Sequence, residues 1–200
     1  MNESFKELLD INRGHFRLES GLHGDVWFDL ELAFVRPALL RSFTDRLAGL
    51  LAEYDLAIVC GALVGGAFVA YSIAERLGID FVYTERHVAA LHGTKYEVSY
   101  RLPQSIRSAV AGRRIGIIDD VINAGSAVTK TYRELKQNGA DPVVIASILT
   151  VGDIARGQLS EEYPPIVALE HLESNLWKPS DCPLCKSGTP IVDPYYEERQ

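Results

Sequence analysis

The stretch Arg113-Arg114-Ile-Gly-Ile-Ile-Asp119-Asp120-Val-Ile-Asn123-Ala-Gly125-Ser126-Ala127-Val128 decides how this chain is read. Ile115 to Ile118 form a short apolar run, the pattern of a central parallel strand buried on both faces. Asp119 and Asp120 follow where such a strand reaches the rim of its sheet. Asn123, Ala124, Gly125 and Ser126 are small or turn-forming. Val128, Thr131, Tyr132 and Leu135 then mark one face of a helix, which Asn138-Gly139 stops.

Strand, acid pair, small-residue loop and helix have a physical use together. The loop can aim backbone N–H groups and the Ser126 hydroxyl at a phosphate beside a helix N-terminus. Gly125 permits a positive φ. The two carboxylates accept hydrogen bonds and so suit the hydroxyls of a sugar carrying that phosphate. An acid at a strand end is also common in α/β proteins, and the Asp119-Asp120 pair could equally hold Mg²⁺.

Working outward, Asp55 to Cys60 forms a second buried strand. Gly61-Ala62-Leu-Val-Gly65-Gly66 follows, then a helix through Val69, Ile73 and Leu77 that Gly78 closes. The spacing allows a phosphate loop or only a tight turn with close helix packing. Parallel-sheet rules put this loop and the Asp119-Asp120 loop at the same sheet edge. Ile79 to Tyr83 forms a third strand, ended by Thr84-Glu85-Arg86. A guanidinium at Arg86 can bind two phosphate oxygens, or pair with Glu85 or Glu97 on the surface. Tyr96, Val98 and Tyr100 alternate as a hairpin arm. Pro142 to Val151 is a further strand, and Ile166 to Leu169 an edge strand.

Pro37 opens a helix whose face carries Leu40, Phe43, Leu47 and Leu50. At the N-terminal end, Ser4 to Glu7 reads as a capping box for a helix through Leu8, Leu9 and Ile11, ended by Gly14. Phe16 and Leu18 then suggest a strand, Gly21 to Gly24 a turn, and Val26 to Leu30 the returning strand.

With 200 residues and 47% hydrophobic content, the chain fits one globular domain. Its formal charge of −7 argues against a general nucleic-acid binder. No apolar run approaches the roughly 20 residues of a membrane span, and the N-terminus does not read as a signal peptide. Three cysteines make no disulfide framework, so a reducing cytoplasm is expected. Cys182-Pro-Leu-Cys185 has the spacing of half a zinc site; Cys60 lies in a strand and His171 is the only imidazole nearby in sequence.

Ile115 to Ala127 resembles the phosphoribosyl-diphosphate (PRPP) signature of type I phosphoribosyltransferases: two apolar residues, two acids and a Thr/Gly/Ser loop. Asn123 stands where the family usually has Thr. The resemblance runs over about residues 15 to 190, and a similar Cys-Pro-x-Cys tail closes one bacterial subgroup of its orotate branch. It implies an α/β fold: a mainly parallel, doubly wound sheet of about five strands with a small N-terminal hood and a flexible lid hairpin. Residues 1–35 would form the hood, 36–170 the core and 171–200 a C-terminal extension.

The resemblance also implies roles. PRPP would be bound by Asp119, Asp120, Asn123, Ala124, Gly125, Ser126, Ala127, Gly61, Ala62, Gly65 and Arg86. The catalytic set would be Asp120 with His92 and Lys95 of the lid, and the base would meet Ser20 and Phe28. The cofactor would be Mg²⁺, held mainly through PRPP, with Asp119 and Asp120 as further ligands. The partners would be PRPP, a nucleobase and a second copy of the chain in a homodimer sharing the lid.

Three positions depart from the orotate branch. Glu19 replaces a basic residue before Ser20-Gly21, and would repel an anionic ligand. His87-Val-Ala-Ala-Leu replaces a lysine-rich run before His92-Gly93. Thr150-Val151-Gly152-Asp153 replaces a strand end that carries Asp-Arg, with Arg156 out of register. Orotate is the family's base for this branch. A different base, or a PRPP-binding regulator without turnover, stays open on these departures.

Overall fold

The computed structural model describes residues 10–29, 31–90, 96–153 and 162–194. Nine strands and five α-helices are defined among them. The main sheet has six strands in the order β5-β4-β3-β6-β7-β8. These are β3 (Ile58–Ala62), β4 (Asp80–Ala90), β5 (Tyr96–Arg101), β6 (Arg114–Ile122), β7 (Asp141–Val151) and β8 (Ile166–Leu172). β4, β3, β6, β7 and β8 are parallel, and β5 returns antiparallel on β4. The expected parallel sheet is therefore present, and the hairpin arm adds its sixth strand.

Period-2 alternation sends the side chains of each central strand to two cores. Val59, Ile118, Val144 and Ala146 pack on one face against α2 (Pro37–Leu51) and α3 (Gly65–Leu77). Ile58, Cys60, Ile115, Ile117 and Ile145 pack on the other against Val128 and Leu135 of α4 (Ser126–Gln137). Burial on both faces is why these strands read as unbroken apolar runs. Leu47, Leu51, Ile73, Ile115, Ile117 and Leu135 are fully buried. Each such side chain contributes about 1.5–3 kcal/mol of burial free energy.

The strand order reverses between β3 and β6. The chain leaves β3 through α3 to β4 on one side, and leaves β6 through α4 to β7 on the other. Such a switch point opens a crevice at the carboxyl ends of the two strands. Both small-residue loops lie there.

The hood is a separate sheet, β1 (Asp10–Arg17) with β2 (His23–Asp29) and β9 (Leu176–Trp177). A helical turn, α1 (Glu31–Val35), leads from it to α2. The helix expected through Ile11 to Gly14 is instead the first half of β1, because pairing with β2 fixes that stretch as a strand: Ile11 lies opposite Phe28 and Arg13 opposite Val26. The Ser4 to Glu7 capping box lies outside the described residues. The strand expected to end at Tyr83 runs on to Ala90, because β5 continues to pair with it. β9 comes from the C-terminal segment, which also bridges Val192 to Phe16 and carries the one-turn helix α5 (Pro183–Lys186).

Candidate active site

The strand expected to end at Ile118 runs on to Ile122 along β7, but its pairing with β3 stops at Ile118, so Asp119 and Asp120 line the crevice where β3 has ended. Asp119 is 8% exposed, and its Oδ1 accepts the Asp120 backbone N–H at 3.1 Å. Burial pushes the Asp119 carboxyl well above its ordinary range, and the neighbouring Asp120 carboxylate adds to the shift. Burial also raises Asp120. Two acids held this close in a partly dry crevice are poised for hydroxyl groups or a divalent cation, either of which would offset the cost of their charge.

The β3–α3 loop lies directly on this pair. A methyl group on Gly65 would collide with the Asp120 carboxylate. One on Gly66 would stand 2.8 Å from Asp119 Oδ1 and 2.8 Å from the Ile118 carbonyl. Absence of a side chain at Gly66 is thus a condition for this packing. Neither α3 nor α4 has a side-chain cap at its N-terminus, and neither has an acid in its first turn. Gly125 caps α4 with φ 78°, the conformation expected from the sequence. The leading amides of both helices start without intrahelical partners beside one crevice, although the Ala67 N–H already donates to the Val64 carbonyl at 3.1 Å. Asn123 Oδ1 is buried with no hydrogen-bond partner among the described residues, a polar group awaiting one.

The decisive geometry surrounds Glu19. Its side chain is 5% exposed and reaches in from the hood. Arg86 Nε donates to Oε2 at 2.8 Å and the Tyr100 hydroxyl to Oε2 at 3.3 Å. Ser126 Oγ donates to Oε1 at 3.1 Å and Lys130 Nζ to Oε1 at 3.2 Å. Donors from β4, β5 and α4 thus converge on one carboxylate. Arg86 Nε thus has a partner, Glu19, beyond the Glu85 and Glu97 that its sequence neighbourhood offered. Glu19, expected from the sequence to repel an anionic ligand, is itself paired with two cations, Arg86 and Lys130, and occupies donors beside the acids.

The crevice is open and spans about 1270 Å³. Ala62, Gly65, Arg86, Asp119, Asp120 and Ser126 line it, and so do Asn123, Ala124, Gly125 and Ala127. The structure therefore brings together the whole expected PRPP set except Gly61, which lies behind the loop against the backbone of Ala67 and Gly66. Ser20 lines the crevice while its Oγ accepts the Leu22 N–H at 3.2 Å. Phe28 lines it from the hood with only 9% of its surface exposed. His92 and Lys95 lie outside the described residues, as does Arg156. Lys130 and Tyr100 were missed. Lys130 had a legible signal, since it stands four residues after Ser126 and so on the same helix face; Tyr100 had only its alternation in the hairpin arm.

The C-terminal knuckle is not isolated either. His171, the sequence-adjacent imidazole, sits on β8 with its Nδ1 3.0 Å from Thr150 Oγ1. Pairing of β8 with β7 holds it there, away from the cysteines. His15 and His23 of the hood meet Cys182 and Cys185 instead.

A switch-point crevice lined by two acids, with two cations and two hydroxyls converging beside it, marks an α/β protein whose candidate site lies at the carboxyl edge of its sheet. The chain belongs to the phosphoribosyl transferase domain family, whose model matches residues 39–184. It is 27% identical over 193 residues to an orotate phosphoribosyltransferase of Caldanaerobacter subterraneus subsp. tengcongensis, covering 96% of this chain and 94% of that one. It is 29% identical over 205 residues to the Wolinella succinogenes protein of the same name, covering 97% and 95%. Its fold is similar to that of adenine phosphoribosyltransferase from Thermoanaerobacter pseudethanolicus, with TM-score 0.66 and 15% identity over 84% of this chain and 98% of that one. It is also similar to orotate phosphoribosyltransferase from Aeropyrum pernix, with TM-score 0.59 and 21% identity over 84% and 89%.

Proposed function

We propose that this protein transfers the 5-phosphoribosyl group of PRPP to a nucleobase, with orotate the first candidate, and releases diphosphate. The convergence of Arg86, Lys130, Ser126 and Tyr100 on one anion beside the Asp119-Asp120 pair carries the reading. The full-length similarity to proteins named orotate phosphoribosyltransferase supports the choice of base.

In this reading the loop Asn123 to Ala127 takes the 5-phosphate with its amides and the Ser126 hydroxyl. Asp119 and Asp120 hold the ribose hydroxyls. The β3–α3 loop and Arg86 face the diphosphate. The C1–O bond breaks with its electron pair leaving on diphosphate, and a base nitrogen donates the pair that forms C1–N. Positive charge develops on the ribose as in glycoside chemistry, and Asp120 is placed to support it. Positioning supplies most of the acceleration expected from the protein. His92 and Lys95, which follow β4 in sequence, would cover the leaving group. Ser20 and Phe28 would face the base.

The crevice fits Mg²⁺, because a divalent cation offsets the charge cost that raises both buried acids. Bound with PRPP, it would neutralise charge on the departing diphosphate. No helix among the described residues is long and apolar enough to cross a membrane, which fits a cytoplasmic enzyme. A homodimer is part of the reading. Val64 (63% exposed), at the N-cap of α3, and Phe68 (52%) and Tyr71 (63%) on the helix form an apolar stripe at i, i+4, i+7 beside the crevice.

Glu19 favours a second reading, a PRPP-binding regulator without turnover, because it holds the donors that a diphosphate would need. Diphosphate release from PRPP and Mg²⁺ with a panel of bases separates the two. Release with orotate supports the first reading, release with another base alone reassigns the acceptor, and tight PRPP binding without release supports the second.

A further inference from the structure

The hood and the C-terminal segment bring two histidines and two cysteines to one point. His15 is on β1, His23 on β2, Cys182 at the N-cap of α5 and Cys185 within its single turn. Their ligand atoms all lie within 4.8 Å of one another. His15 Nε2 is 3.0 Å from His23 Nδ1 and 3.4 Å from Cys182 Sγ. Cys185 Sγ is 3.6 Å from His15 Nε2 and 3.3 Å from His23 Nδ1.

We infer that these four residues form a Cys₂His₂ structural zinc site that clamps the C-terminal segment onto the hood. Zinc bonds of about 2.0 Å to nitrogen and 2.3 Å to sulfur set the edges of a tetrahedron at about 3.3 Å for N···N and about 3.5 Å for N···S. Four of the six separations match those edges to within a few tenths of an ångström, and the two from Cys182 to His23 and Cys185 lie within 4.8 Å.

Hydrogen bonding alone accounts poorly for the cluster. His15 Nδ1 donates to the Thr189 carbonyl at 2.9 Å, so the neutral ring turns a single lone pair at Nε2 toward the other three groups. One lone pair can serve one strong donor, yet an imidazole nitrogen and two sulfurs crowd it. A cation uses all four lone pairs at once. The carbonyl behind Nδ1 is also the outer partner that fixes the tautomer and orientation of a ligating histidine. His15 (2% exposed), His23 (6%) and Cys182 (0%) are buried, and Cys185 forms the outer rim. Both cysteines are free thiols, as ligation requires.

The clamp joins residues about as far apart as the chain allows, which is where a cross-link restrains the unfolded state most. It also braces the crevice. Next to the cluster, Val192 N–H donates to the His15 carbonyl at 2.7 Å and Arg17 N–H to the Val192 carbonyl at 2.8 Å. Val192, Asp193 and Pro194 form part of the crevice wall with Asn12 and Phe16. Ligation therefore fixes the outer wall of the site, and its own chemistry is separate from the acids of the inner wall.

The test uses the full chain purified without a polyhistidine tag, dialysed against metal-free buffer and analysed for zinc by mass spectrometry. About one zinc per chain is expected, retained in Asp119→Asn. Replacing zinc with Co²⁺ should give the visible bands of tetrahedral cobalt and a thiolate charge-transfer band. Cys185→Ser, at the exposed rim, should keep the circular dichroism spectrum and lose about half of the charge-transfer intensity. A folded chain that holds no zinc after supplementation, with both thiols titratable or joined as a disulfide, would overturn the inference. So would retention of full zinc and cobalt spectra when His15→Asn and Cys185→Ser are combined in a folded chain.

Discussion

Replacing Glu19 by Gln should tighten PRPP binding while loosening the empty protein. In the structure the Glu19 carboxylate takes hydrogen bonds from Arg86, Lys130, Ser126 and Tyr100, the donors assigned to an incoming anion. A bound phosphate must displace that carboxylate or share its donors with it. A unit charge about 5 Å from a phosphate, at an effective dielectric of about 20, contributes about 3 kcal/mol of repulsion. Arg86 keeps 29% of its side-chain surface and Lys130 23%, so water screens part of this. A gain of about 2 kcal/mol is left, or about thirtyfold in Kd. The same change removes the acid that neutralises two partly buried cations, so the unliganded protein should lose about 1–3 kcal/mol. Titration calorimetry with PRPP and Mg²⁺, paired with thermal melts, reads both effects. Equal or weaker PRPP binding by a folded Glu19→Gln chain would refute the reasoning, and would make Glu19 an organiser of the site instead of a rival to its ligand.

Asp119→Asn should abolish PRPP binding with little loss of fold, more so when combined with Asp120→Asn. The single variant should also melt higher than the parent without divalent cations. The folded carboxyl is raised above its ordinary value of 3.8, so the folded state keeps a proton that the unfolded state releases. Stability from this group is therefore full below about 3.8 and is lost as pH rises through the folded pKa. The gain from Asn, about 1–2 kcal/mol or a few degrees in Tm, should be present at neutral pH and vanish in acid; a pH-independent difference in Tm contradicts the assignment. Gly66→Ala should cost about 1–3 kcal/mol, because the new methyl meets Asp119 Oδ1 and the Ile118 carbonyl at 2.8 Å; denaturant unfolding measures it. Phe68→Glu with Tyr71→Glu should give a monomer by light scattering with an unchanged melting profile at low concentration, and a dimer that survives both changes places the interface elsewhere.

The core was legible because burial on both faces leaves an unbroken apolar run at β3 and β6, and the candidate site because small residues follow the run at β3 and acids, then small residues, follow the run at β6. Gly125 and Gly66 could be read for the same reason: few other residues tolerate a positive φ or a carboxylate at van der Waals contact. The hood was read less well. Ile11 to Gly14 carries a helical pattern locally, and only pairing with Phe28 and Val26 makes it a strand. Contacts that join distant parts of the chain left no local trace. Glu19 reaches Lys130 across 111 positions and His15 meets Cys185 across 170. Sequence showed the misfit of Glu19 with an anion site but not the cations that answer it, and it showed half of a metal knuckle but not the two imidazoles that complete it.

The central claim is that the crevice between β3 and β6 holds the phosphorylated ribose. A crystal structure with PRPP and Mg²⁺ tests it most directly. The account expects the 5-phosphate within hydrogen-bond distance of the Ser126 hydroxyl and the first amides of α4, the ribose hydroxyls on Asp119 and Asp120, and Glu19 displaced from Ser126. PRPP bound elsewhere, or Glu19 still bonded to Ser126 and Lys130 at saturating ligand, would contradict it.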